Sequence, residues 1–153
     1  MAHSTEVEFD IDFIDDTIER LHRLKPSAAP LWGALDPEAM ISHLIVSLRY
    51  AMGQYGASSP SGNWYTRAVL GRLILWGFIP IPKNLRMPFP SRDAERPRGD
   101  LETLHAVMDE YLALVQAGGL DPAPHPAFGA LGVDGWARFH VLHFEHHLKQ
   151  FGV

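Results

Sequence analysis

The stretch Trp136-Ala-Arg-Phe-His140-Val-Leu-His143-Phe-Glu-His-His147-Leu-Lys-Gln150 holds four of the chain's nine histidines and sorts into stripes on a helical wheel. At about 100° per residue, with His140 at zero, Trp136, His143, His147 and Gln150 fall between about 280° and 340°. Ala137, Val141, Phe144, Leu148 and Phe151 form a second, wholly apolar stripe near about 60°. Arg138, Glu145 and Lys149 collect near about 140–180°, the solvent side, with His146 between them and the histidines. The histidine stripe borders the apolar one and so faces inward, in a chain whose five helical segments and long crossovers point to an all-α fold.

Inward-facing neutral imidazoles need partners, because an unpaired buried polar group costs about 1–3 kcal/mol. A metal ion satisfies two of them at once. His143 and His147 have the i, i+4 spacing that lets two rings converge on one ion. A third ligand has to come from elsewhere, and His43, set among Met40, Leu44 and Ile45, is the candidate. His3, His22 and His105 fall in the polar start or on outer faces, and His125 lies in a loop with Pro126, read as a turn that sets up the last helix. The competing reading keeps each core histidine as a hydrogen-bonded packing residue. A zinc-protease reading fails: H-E-x-x-H needs a glutamate beside the first histidine, whereas Glu145 sits about 160–200° around the helix from the pair. His140 and Gln150 are candidates to orient the ligands from behind, and His140 also as proton shuttle or fourth ligand. Trp136 and Tyr50 read as cleft lining or core.

Four more segments read as helix. Ile11, Ile14, Ile18 and Leu21 make an amphipathic stripe that ends near Lys25-Pro26. Asp36-Pro37-Glu38 combines a capping side chain, a proline suited to the first turn and an acid at the positive helix end, and opens a helix to about Met52 that is apolar nearly all round. After a Gly/Ser/Pro loop at 53–62, a third helix is expected over 64–79, stopped by Pro80 and Pro82. The proline-rich stretch 80–97 is an extended crossover. Asp100 caps a fourth helix whose stripe of Leu101, Leu104, Met108, Tyr111 and Val115 ends at Gly118-Gly119. A second proline-rich loop, 121–132, leads to Asp134 as cap of the last helix. Residues 1–153 form one domain.

The 153 residues include no cysteine, which excludes disulfides, thiolate metal sites and a cysteine nucleophile. A net charge of −5 without a basic run argues against a nucleic-acid partner. The polar, acidic start has neither the basic end nor the apolar core of a signal peptide. The apolar run 69–81 is shorter than the roughly 20 residues of a membrane span and contains Arg72. A cytoplasmic protein without membrane contact is expected, with that run as a homodimer contact.

These residues resemble a known family. His143-x-x-x-His147-x-x-Gln150 is similar to the closing signature of the DinB/YfiT-like metalloenzyme superfamily, and Met40-Ile-Ser-His43 to its second-helix histidine. The ending His146-His-Leu-Lys-Gln-Phe-Gly152, with His125-Pro-Ala-Phe-Gly129, Trp136 and the early Leu24-Lys-Pro and Pro30-Leu-Trp-Gly33, resembles one bacterial branch of unknown function. The resemblance implies a DinB-like four-helix bundle with long crossovers, here with one extra helix at 64–79. It also implies a divalent ion held in a cleft by His43, His143 and His147. Characterised relatives use low-molecular-weight thiols, as mycothiol-dependent isomerases and bacillithiol transferases do, or are metal-dependent hydrolases. Two readings follow. One is an enzyme acting on a small molecule through metal-activated water or thiol, with zinc, nickel or iron equally suited to imidazole ligands. The other is a non-catalytic dimeric binding module whose metal is structural or absent.

Overall fold

The computed structural model describes residues 6–56, 69–77, 79–83 and 97–153, and among these the regular elements are all helices. Helix α1 (Ile11–His22) starts where the Asp10 carboxylate accepts from the Phe13 amide at 2.9 Å. Helix α2 (Pro37–Ala51) starts on the same device, Asp36 accepting from the Ala39 amide at 2.7 Å, with the proline in its first turn. Helix α4 (Leu101–Gln116) begins at Asp100, which accepts from both the amide and the hydroxyl of Thr103. Those two bonds hold the Asp100 carboxyl below its usual range.

Two helices depart from the sequence reading. The expected third helix becomes α3 (Gly71–Leu75), five residues long, with residues 64–68 lying outside those described. Its early stop has a local cause: Gly77 takes a φ of +78°, turning the chain before Pro80 can. Helix α5 (Gly132–Gln150) begins two residues ahead of Asp134, which serves as a first-turn acid without a side-chain cap bond. Gly132, at φ +68°, makes that sharper entry.

Helices α1 and α2 both pack on α4, and α5 packs on α1, α2 and α3. The shared interior holds Met40, Leu44 and Leu48 from α2, Met108 and Tyr111 from α4, and Trp136, Phe139 and Phe144 from α5, all fully buried. The Phe9 ring brings the start of α1 to this centre, edge-on to Tyr111 and Phe144. The charged side of α5 is less open than its wheel position implies. Arg138 pairs with Glu6 and donates to the Leu75 carbonyl, and Arg20 forks onto Glu145 while donating to the Val153 carbonyl. These contacts tie the chain's start, α1 and α3 to a face that periodicity assigns to water.

The segment entering α4 lies directly on α2. Ser42 Oγ donates to the Pro97 carbonyl at 2.9 Å, and a β-carbon added to Gly99 would overlap the Glu38 carbonyl oxygen and sit 2.8 Å from its carbon. Gly99→Ala should therefore push the segment off α2 and lower the unfolding free energy by about 1–3 kcal/mol, the usual range for overpacking. A urea midpoint equal to wild type would refute that close approach.

Candidate metal centre

His43 projects from the middle of α2, and His143 and His147 from successive turns of α5, the helix packed against it. The fold brings the three rings together. Nε2 of His143 lies 2.9 Å from Nε2 of His43 and 3.2 Å from Nε2 of His147. One nitrogen from each ring belongs to a set within 4.8 Å of one another. Nitrogens this close repel unless a proton or a cation lies between them. Four imidazole nitrogens about 2.0–2.1 Å from zinc would stand about 3.3 Å apart, so the two spacings to His143 match edges of a tetrahedron to within a few tenths of an ångström.

The two α5 rings are held neutral. Burial pushes His147 down to about 4, against a partial rise from its bond to Gln150. Burial also holds His143 well below the usual imidazole range, helped by the neighbouring His43 and His147. A neutral imidazole is the form that binds metal.

Of the two residues expected behind the ligands, Gln150 is in contact. Its Oε1 lies 2.8 Å from His147 Nδ1, and its Nε2 donates to the Trp32 carbonyl at 2.9 Å. His140 is fully buried elsewhere in the core, stacked on Trp136 at 5.2 Å and edge-on to Tyr111 at 4.8 Å. It lies outside the metal-competent set, and among the described residues neither of its ring nitrogens has a hydrogen-bond partner. Trp136 and Tyr50 are core, the Trp136 indole donating to the Ala123 carbonyl at 2.7 Å.

His125 is buried although it lies in a loop. Its Nδ1 accepts from the amides of Ala127 and Phe128, and its backbone pairs with Gly129 in both directions, closing a tight turn. Phe128 in that turn touches Gly71 of α3, so the turn props α3 against α5. The expected dimer run spends Ile74 and Leu75 on this core and leaves Val69 and Trp76 exposed, the latter under the Arg138 guanidinium. No described helix is long and apolar enough to cross a membrane. A cavity of about 590 Å³ lies on the opposite flank of α5 between Phe9, Leu75, Val141 and Leu142, away from the histidines.

The sequence reading missed Trp32 and Gly33 as neighbours of the site. A family model described as "Protein of unknown function (DUF1569)" matches residues 3–152. No curated protein and no solved structure matches the chain significantly.

Proposed function

We propose that this chain, which belongs to the DUF1569 family, holds a divalent metal ion on His43, His143 and His147 and acts as a metal-dependent enzyme on a small molecule. The observation that carries this reading is the convergence of three imidazole nitrogens from two helices, those of His143 and His147 on buried rings and that of His43 on a half-buried one. Four long helices with α5 packed on α2 favour the DinB/YfiT-like arrangement that the motifs suggest. With three neutral ligands a bound ion keeps its full charge and a free position, from which it lowers the pKa of water or of a thiol. The chain's own residues supply the rest. His43 closes the site from α2, His143 and His147 from α5, and Gln150 holds His147 in orientation. Hydrolysis and thiol-dependent transfer or isomerisation are the reaction classes that suit such a site.

Elemental analysis of untagged protein beside His43→Ala and His147→Ala tests the assignment. About one divalent ion per chain is expected in the parent and none in either variant. Equal metal content in all three would refute it. Cobalt substitution then separates the open site from a structural clip: a spectrum that responds to an added small thiol or anion marks an exchangeable position. A closed four-ligand spectrum without response would overturn the catalytic part.

A further inference from the structure

We infer that the α1–α2 loop at Leu31, Trp32 and Gly33 is a positioning element of the metal site, because its backbone decides which nitrogen His147 presents. The inference rests on the metal reading above and adds residues from a third part of the chain to it.

A backbone carbonyl can only accept, so the Trp32 oxygen requires the NH₂ face of the Gln150 amide, which donates to it at 2.9 Å. The other face of the amide, Oε1, then points at His147 Nδ1 across 2.8 Å. An amide oxygen also only accepts, so Nδ1 carries the ring proton and Nε2 is left with a bare lone pair. That lone pair is the atom 3.2 Å from His143 Nε2, at the centre of the cluster. Turning the amide over would set two acceptors against each other at Trp32 and place an NH₂ before Nδ1. The ring proton would then move to Nε2, where it blocks ligation.

The loop is fitted to this task. The Leu31 amide donates to the Gln150 carbonyl at 2.7 Å, so the loop grips both the backbone and the side chain of one residue. Gly33 sits at φ +77°, and a β-carbon there would stand 2.9 Å from Gln150 Nε2. Only glycine gives both the turn and the room. The Trp32 indole is seated edge-on to His146 and beneath the Lys83 ammonium, which hold the loop from two other segments. Gln150 itself is almost fully buried, so water does not compete for its amide.

The test uses full-length protein with ¹⁵N-labelled histidine. Long-range proton–nitrogen spectra of chelator-treated protein report the tautomer of His147, and competition with a chromophoric chelator reports zinc affinity. Wild type should show the Nδ1–H form. Gly33→Ala should shift His147 toward the Nε2–H form and weaken zinc binding about 10- to 100-fold, the range seen when outer partners of metal ligands are lost. Gly53→Ala, with the same φ of +77° but open space around it, controls for backbone strain and should leave the tautomer unchanged. Adding Gln150→Glu to Gly33→Ala should restore the Nδ1–H form, because a carboxylate accepts whichever way it turns. A folded Gly33→Ala protein that keeps the Nδ1–H form and wild-type zinc affinity would overturn the inference and leave the metal site standing. A wild-type chain that binds no zinc, with a tautomer that still follows Gly33, would sink the metal reading and leave only the loop's control of the His147 tautomer standing.

Discussion

Lowering the pH from 7 to about 5 should unfold the chelator-treated protein. Four histidines are buried: His125, His140, His143 and His147, none more than 7% exposed. Burial holds His125 and His140 down at about 3 and His147 at about 4, with His143 also well below its ordinary value. The unfolded chain titrates these rings near about 6.5. Between the folded and unfolded values the unfolded state therefore binds more protons than the folded one. Stability is at its full value above about 6.5 and falls as the pH drops through the window below it. Each ring contributes a slope of up to about 1.4 kcal/mol per pH unit, so four together approach about 5 kcal/mol per unit. The loss from pH 7 to pH 5 comes to about 7 kcal/mol, which brings a domain in the lower part of the usual range of about 5–15 kcal/mol to its acid midpoint at about pH 5. Helical circular dichroism followed against pH would check it. Zinc at about 100 times its dissociation constant adds about 2.7 kcal/mol at neutral pH and should move the midpoint downward. A urea midpoint in chelator that is the same at pH 5 as at pH 7 would show that these rings are not buried as neutral bases.

Where the structure follows the sequence, short-range chemistry decides. Asp36-Pro37-Glu38 starts α2 and Asp100 starts α4 where they were read, because a cap bond spans only three residues. The i, i+4 spacing of His143 and His147, with His43 in a helix apolar nearly all round, was enough to bring the three rings into one group. Departures arise where distant segments meet. An apolar run from Val69 onward looks the same whether it makes a long helix or a five-residue one stopped by a left-handed glycine. Arg138 and Glu145 fall on the polar side of the wheel, and nothing local says that Glu6 and Arg20 arrive to cover them. His125 was read as a turn element, but its burial was not legible, because that depends on Phe128, Trp136 and Phe139 closing around it. The Trp32 carbonyl was invisible for the same reason: its partner, Gln150, is 118 residues away, and backbone groups carry no mark in a sequence.

Replacing His140 with leucine should stabilise the protein, and more so in acid. The ring is fully buried, and among the described residues both of its nitrogens lack hydrogen-bond partners amid Phe9, Tyr111, Trp136 and Phe139. An unsatisfied buried polar group costs about 1–3 kcal/mol, and an apolar side chain of similar volume does not incur it. Loss of stacking on Trp136 offsets about 0.5–1.5 kcal/mol of the gain, leaving a net rise of about 1 kcal/mol at pH 7. At pH 5 the variant also escapes the proton uptake that favours the unfolded wild type, worth about a further 2 kcal/mol for a ring held near 3. The difference in urea midpoint between variant and wild type should therefore roughly triple from pH 7 to pH 5. Metal content should not change, since His140 stands outside the three-histidine group. A variant that is less stable at both pH values, or that loses its ion, would mean that His140 has a polar partner in solution. It would then have to be reckoned with the site rather than with the core.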